Sequence, residues 1–293
     1  MQYDYHQLAT LAAILRLGSF EAAAAELAVT QSAISQRLKA LEERTGALLV
    51  HRGQPCTGTA LGTRLAAHHG HVALLEHQLN DDLQTRAALP KGRLRLVVNA
   101  DSLASWFMPA IANVSGILYD LVIDDQEFSV DLLRRGEVGA AVTSHGGVIA
   151  GCECYYLGRL VYRATSSPKF CARYFPTQAT KQSLRHAPML RYNSKDDLQN
   201  RWLRTQVGTD DFSNFHMIAS TQGFIDASLA GLGWGMNPAL MVDGHIAAGR
   251  LQEIIPDTAL DTPLFWQCNR LLAPALKPLT RSICQTAHKH LPQ

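Results

Sequence analysis

The sequence predicts an α + α/β chain in three parts: a small helical head, a long linker helix and a two-lobed α/β body. Three observations point there. Residues 5–44 carry apolar spacing of helical period, broken at Gly18 and again at the tight link Ala28-Val29. Residues 60–86 repeat leucine at near-heptad intervals. From Arg93 the pattern turns to short apolar runs alternating with helical segments, as in a largely parallel sheet with crossover helices. A length of 293 residues suits two or three compact units. With 47 % hydrophobic and 18 % charged residues the chain has apolar surface for sizeable cores, which excludes general disorder.

In the head, Leu8, Leu11, Ile14 and Leu15 form one face of a helix over Tyr5–Leu17, which Gly18 closes as a C-cap. Ser19 is an N-cap for a short helix over Phe20–Leu27, whose small side chains at Ala22–Ala25 let another helix approach closely. Thr30 caps a third helix from Gln31 to about Arg44, with Gly46 past its end. Three helices with a tight turn between the last two make a helix-turn-helix. Leu48–Arg52 reads as a short strand, and Gln54–Gly58 as a turn leading to a further cap, Thr59, so the head carries a small wing.

On the third helix Ile34, Leu38 and Leu41 fall on the packing side, while Ser32, Ser35, Gln36, Lys39 and Glu43 fall on the other. Amide, hydroxyl and ammonium groups near a helix start suit base edges and phosphates. A solvated face of a small bundle has the same composition; the tight turn and the wing decide for DNA. A net charge of +2 is too small to argue that from bulk electrostatics. Arg52, at the wing, can clamp a phosphate with its two-pronged guanidinium.

The predicted linker helix, Ala60 to about Arg86, is about 40 Å long. Its stripe of Leu61, Leu65, Val72, Leu75, Leu79 and Leu83 needs a partner, so the chain is expected to form a homodimer, and dimeric readers bind two half-sites of double-stranded DNA. His68, His69, His71 and His77 lie on this helix without a carboxylate or thiolate at helical spacing to complete a metal set, and read as surface polar residues. No metal or other cofactor is expected.

Pro90 marks a hinge, which sets the expected parts at 1–59, 60–90 and 91–293. In the body Leu94–Asn99 reads as a buried strand, Ala100–Ser105 as a polar bend and Trp106–Ala112 as a helix, with strands at Leu121–Asp125 and Val138–Thr143. Leu157–Ala164 carries the chain to a second lobe holding strands at Pro188–Tyr192, Phe215–Ser220 and Trp234–Asn237. Thr262–Gln267 returns it, and Ala275–Leu291 is a closing helix. Lobe I then comprises about 91–161 and 268–293, and lobe II about 162–267.

Two crossings leave a cleft, where ligands sit outside the carboxyl ends of strands. The candidate effector contacts are the polar strand ends Asp101 and Ser102, Thr143 and Ser144, and Ser220 and Thr221. Ser102 and Thr221 are the anion contacts if helices start there; each of these residues is equally a helix cap.

The string Phe20-Glu-Ala-Ala-Ala-Ala-Glu-Leu27, followed by Thr30-Gln31-Ser32-Ala33-Ile34-Ser35, resembles the signature of LysR-type transcriptional regulators. Leu41-Glu42, Gly46, Leu48-Leu49, Arg52, Thr59 and Gly62 are similar to the rest of that family's head; His51, usually aromatic or aliphatic there, departs from it. The resemblance implies that Gln31, Ser32, Ser35, Gln36 and Lys39 face the major groove and that Arg52 contacts phosphate, with Thr30 at the helix start completing the expected DNA-binding set. It implies a periplasmic-binding-protein-like effector domain, a dimer or dimer of dimers, and RNA polymerase as a further candidate partner. Asn99-Ala-Asp101-Ser102-Leu-Ala-Ser-Trp106 with Pro109, Leu133-Arg-Arg-Gly-Glu-Val138 and Tyr174-Phe-Pro176 resemble the ArgP/LysG subgroup. That likeness implies lysine or arginine as effector and an amino-acid exporter gene among the targets. A basic side chain in the cleft needs a carboxylate, for which Asp101, Asp124, Asp125 and Glu127 are candidates.

Other classes fit less well. No nucleophile stands with a base at workable spacing, so an enzyme is not expected. Cys152 and Cys154 lack the spacing of a dithiol redox motif, and six scattered cysteines read as thiols of a reducing compartment. The longest apolar runs, such as Leu94–Val98, are far below the roughly 20 residues of a membrane span. Met1–His6 lacks a signal-peptide pattern, which suggests a cytoplasmic protein. A DNA-architectural or origin-binding protein whose body mainly oligomerises is the alternative to an effector-responsive regulator.

Overall fold

The computed structural model describes residues 3–82, 92–123, 126–209 and 212–293. The head is three helices, α1 (Tyr5–Leu17), α2 (Phe20–Glu26) and α3 (Gln31–Thr45). Each starts on a capping side chain: Asp4 accepts from the His6 and Gln7 amides, Ser19 from Ala22, and Thr30 from Ala33. Such caps contribute about 1 kcal/mol each. Gly18 and Gly46 end α1 and α3 in the left-handed conformation. Leu8, Leu11, Ile14, Ala23, Ile34, Leu38 and Leu41 form the buried head core. The wing is the antiparallel pair β1 (Val50–His51) and β2 (Thr57–Gly58), shorter than the expected strand from Leu48, whose side chain is exposed.

The linker helix α4 runs over Ala60–Asp82. Thr59 caps its start by accepting from the Gly62 amide at 3.1 Å. Gly62 lies so close to the wing that a Cβ there would stand 2.0 Å from the Leu49 carbonyl oxygen, so no larger residue fits. The predicted leucine stripe is divided in use. Leu65 is buried in the head core and Leu61 packs against it. Leu74, outside the predicted stripe, is buried in the core of the body. Of the described stripe residues only Leu75 and Leu79 stand exposed, at 38 % and 57 %, so the seam available to a partner is shorter than the spacing suggested. Leu83 and the predicted hinge at Pro90 lie outside the described residues.

The body sheet corrects the expectation of largely parallel pairing. In lobe I, β3 (Gly92–Val98) lies between β4 (Ile117–Ile123) and β5 (Ala140–Thr143) in parallel. Two long strands, β6 (Cys152–Ser166) and β11 (Leu260–Asn269), then run antiparallel to one another, β11 also pairing antiparallel with β5. In lobe II β9 (Gly235–Pro238) and β10 (Gln252–Glu253) pair antiparallel with β6, and β7 (Met189–Arg191) pairs in parallel with β8 (Phe215–Met217). The hydrophobic pattern marks strands but not their direction, and here the crossings are themselves strands. A register shift at Leu264/Phe265 lies opposite Gly158, whose φ is +117°. A Cβ on Gly158 would meet the Pro292 carbonyl oxygen at 2.7 Å. The antiparallel pair therefore bends where it passes from one lobe to the other.

The predicted polar bend at Ala100–Ser105 is instead helix. Ala100–Ser102, a wider turn at Leu103–Phe107 and Met108–Ala112 form one helical run, α5. Asn99 has extended backbone and its Oδ1 accepts from the Ser102 amide at 3.2 Å, which makes it the cap the composition concealed. Four tryptophans, Trp106, Trp202, Trp234 and Trp266, are fully buried in the core of the body. The closing helix spans Lys277–His290.

Among the linker histidines, His69 rests on the Tyr5 ring at 4.7 Å. His71 faces the body, beside Gly139 with Leu94 and Leu272. Its Nε2 is buried without a hydrogen-bond partner among the described residues, and burial, with His68 nearby, pulls its pKa down to about 4. No group of three metal-ligating side chains occurs among the described residues.

A lowered histidine pKa stabilises the docked state above pH 6.5, and that stabilisation is lost as pH falls from 6.5 toward 4. It amounts to at most about 3 kcal/mol. Chemical denaturation of wild type and His71→Leu between pH 7 and 4 is expected to show a smaller loss in the variant; equal losses would mean that His71 titrates freely.

Candidate functional site

The first candidate surface is α3. Thr30, Gln31, Ser32, Ser35, Gln36 and Lys39 are all exposed on the side opposite the buried Ile34, Leu38 and Leu41. The Thr30 and Ser32 hydroxyls lie 2.9 Å apart. Lys39 makes a 3.7 Å contact with exposed Glu43, an ion pair that costs little to give up. Arg52 is exposed on the wing with its guanidinium 5.4 Å from the Phe20 ring centroid, a contact that holds it beside the start of α2.

The second is a cavity of about 620 Å³ between the lobes, within the range of small-molecule sites. Asp101, in the first turn of α5, stands at its wall. The Tyr162 hydroxyl, from β6, donates to Asp101 Oδ2 at 2.8 Å, and the Thr221 hydroxyl, from the first turn of the lobe II helix Thr221–Ala230, donates to Oδ1 at 3.0 Å. One carboxylate thus joins lobe I, a crossing strand and lobe II. Burial pushes the Asp101 carboxyl above its ordinary range; the two hydroxyls oppose this and the Asp196 carboxylate adds to it. Burial and the Asp101 charge push the Tyr162 hydroxyl well up, so it remains a donor.

Asp196, which lines the same cavity, accepts from the amides of Tyr192 at 2.8 Å and Leu198 at 3.2 Å, and burial raises its carboxyl against those bonds. Asn237 is fully buried in the wall. Its Nδ2 donates to Thr165 Oγ1, Ser228 Oγ and the Gly235 carbonyl, an arrangement that fixes the amide orientation. Asn237 Oδ1 and the Thr262 hydroxyl are buried without a hydrogen-bond partner among the described residues. Arg201 lines the same cavity.

Of the expected effector contacts, Asp101, Ser144 and Thr221 line the cavity. Thr221 is not free for a ligand anion: its hydroxyl is committed to the Asp101 carboxylate. Ser102 is buried one residue further along α5 and does not reach the wall. Thr143 is buried against Gln267, and Ser220 caps the helix of Thr221 by accepting from the Gly223 amide. Asp124, Asp125 and the side chain of Glu127 lie outside the described residues. The sequence reading missed Tyr162, Asp196, Arg201, Asn237 and Thr262. The polar string Asn193-Ser-Lys-Asp-Asp197, between a strand and a helix, carried the same signal that selected Asp101; Tyr162 and Thr262, in mid-strand, carried none. Cys152 and Cys154 are free thiols, both pushed up by burial.

Residues 5–63 match the bacterial regulatory helix-turn-helix proteins of the lysR family, and residues 87–286 match the LysR substrate binding domain. The chain belongs to the LysR family. Within it, LysG of Mycobacterium tuberculosis is 38 % identical over 282 residues, covering 96 % of this chain and 93 % of LysG. ArgP of Pseudomonas fluorescens is 38 % identical over 296 residues, covering 97 % and 98 %. The crystal structure of ArgP from Mycobacterium tuberculosis superposes with a TM-score of 0.81 at 37 % identity over 99 % of both chains. Full-length LysG from Corynebacterium glutamicum with bound effector Arg has a TM-score of 0.68 at 33 % identity, covering 99 % and 100 %. This LysR-family chain is therefore a transcriptional regulator with a DNA-binding head and a two-lobed effector body. No helix among its described residues is long and apolar enough to cross a membrane.

A buried acid with a raised pKa costs stability once ionised, a cost absent in the ordinary carboxylate range and fully present above the folded value. Ligand-free Asp101→Asn, which removes the charge, is expected to melt at or above the wild-type temperature at pH 7, the difference closing as pH falls toward 4. A variant several degrees less stable at pH 7 would show that the charged form is the favoured one.

Proposed function

We propose that this regulator senses a basic amino acid, lysine or arginine, in the cavity between its lobes. The observation that carries the reading is the pair of protein carboxylates lining one cavity, Asp101 and Asp196, where a cationic ligand offsets charges that are costly to bury alone. The arginine named as effector of the Corynebacterium relative supports the same class. In this reading Asp101 meets a cationic nitrogen of the ligand, and Arg201, which lines the same cavity, takes the α-carboxylate. Ser144 contributes a wall hydroxyl.

At the other end, Gln31, Ser32, Ser35, Gln36 and Lys39 of α3 read the major groove of the operator, with Thr30 at the helix start and Arg52 on phosphate. Two copies pair through the exposed side of α4 around Leu75 and Leu79, as a homodimer or a dimer of dimers, so that two heads meet two half-sites. Ligand shifts the placement of the heads by binding one lobe arrangement more tightly than the other. An amino-acid exporter gene is the proposed target, with RNA polymerase as the partner at its promoter and the cytoplasm as the place of action. A purely architectural role would leave the acidic cavity without use.

Calorimetric titration of the full chain with L-lysine, L-arginine and L-leucine tests this. Saturable binding of a basic amino acid is expected, weakened at least about tenfold, or roughly 1.4 kcal/mol, in Asp101→Asn. Leucine binding as tightly as both basic amino acids would overturn the reading.

A further inference from the structure

The cavity wall is richer in acceptors than one amino-acid ammonium group requires. Asp101 and Asp196 both face it, and each has hydroxyl or amide donors but no ion-pair partner among the described residues. The third wall carboxylate, Asp197, is bound instead to Arg204 at 2.7 Å. The two carboxylates come from different walls, Asp101 from the first turn of α5 and Asp196 from the turn before the lobe II helix Leu198–Val207.

A second, independent observation concerns neutral acceptors. Asn237 Oδ1, on a fully buried residue, and the Thr262 hydroxyl, on a residue 3 % exposed, have no partner among the described residues, and both residues line the same cavity. The contact of Asn237 Nδ2 with the Gly235 carbonyl excludes the flipped amide, which would set oxygen against oxygen. A buried acceptor without a donor is costly, and an ammonium group offers three N–H donors while a guanidinium offers five. Among the described residues, the other charged groups around Asp101 and Asp196 are Arg201, Lys195, Asp197 and Arg191; Arg191 gives a hydrogen bond to the Asp196 backbone carbonyl rather than to the carboxylate.

We propose that the cavity is a receptor for two cationic nitrogens, one held at Asp101 and one at Asp196, so that it accepts straight-chain diamines as well as dibasic amino acids. Asp196 is then the residue that separates ligands with two cationic nitrogens from those with one. Arg201 separates amino acids from diamines, because only the former bring it a carboxylate. The inference rests on the reading of the cavity as a basic amino-acid site and narrows it to a count of charges.

The test uses the wild-type full chain and four small probes: L-lysine, 1,5-diaminopentane, L-norleucine and pentylamine. The diamine keeps both nitrogens of lysine and lacks its carboxylate; norleucine lacks the second nitrogen; pentylamine lacks both the second nitrogen and the carboxylate. Direct calorimetric titration and competition against lysine are expected to show saturable, competitive binding of 1,5-diaminopentane. Norleucine and pentylamine should bind at least about tenfold more weakly than the ligand that shares their carboxylate state, lysine and the diamine respectively. Asp196→Asn should bring lysine and norleucine to within about threefold of each other, and Arg201→Gln should narrow the gap between lysine and the diamine. Lysine binding without competition by the diamine, or norleucine binding as tightly as lysine, would overturn the two-nitrogen receptor while leaving the basic amino-acid reading in place. Failure of lysine and the diamine to bind would overturn the two-nitrogen receptor, and failure of L-arginine as well would overturn both readings.

Discussion

Three elements distant in sequence meet at the Asp101 carboxylate. Its helix belongs to lobe I, Tyr162 to a crossing strand and Thr221 to lobe II, and the two hydroxyls that donate to it at 2.8 and 3.0 Å make a polar link between these elements at the cavity wall. The arrangement is adjustable. Hydroxyl donors stabilise a buried carboxylate less than a cation does, so a ligand nitrogen can compete for the same lone pairs and change what holds the lobes together. Gly158 and the register shift beside it put the bend of the antiparallel pair where the chain passes between lobes, which allows small changes at Asp101 to become relative motion.

Among the described residues, the linker helix packs against both the head and the body, which makes it a route from that bend to the head. That helix has two anchors. Leu61 and Leu65 belong to the head core, Leu74 to the core of the body, and His71 rests on lobe I beside Gly139. A rod fixed at both ends transmits rotation, whereas a flexible tether would absorb it. The same anchoring explains why the leucine stripe overstates the dimer seam: residues of the helix that hold the head and the body already have partners in their own chain, and those left exposed lie toward its carboxyl half.

The head was legible in the sequence because its signals are local. Ser19 and Thr30 cap, Gly18 and Gly46 terminate, and Ile34, Leu38 and Leu41 mark the packed face, each acting within a few residues of itself. The cavity was legible only where it used the same local signals, at Asp101, Ser144 and Thr221. Asn99 hid as the end of a strand although it caps α5, and that misplaced the polar bend. Tyr162 and Thr262 sit on strands whose alternation shows which residues leave the core but not that they face a ligand. Strand direction was equally hidden, since β6 and β11 read as ordinary apolar runs until their pairing is seen.

The central claim is that occupancy of the cavity changes how paired heads sit on DNA. Footprinting of the full-length protein on its operator, with and without saturating arginine, tests it most directly. The account predicts that arginine changes the length or spacing of the protected segment in wild type and leaves it unchanged in Asp101→Asn. Identical protection in wild type with and without arginine, at a concentration shown to fill the cavity, would contradict it.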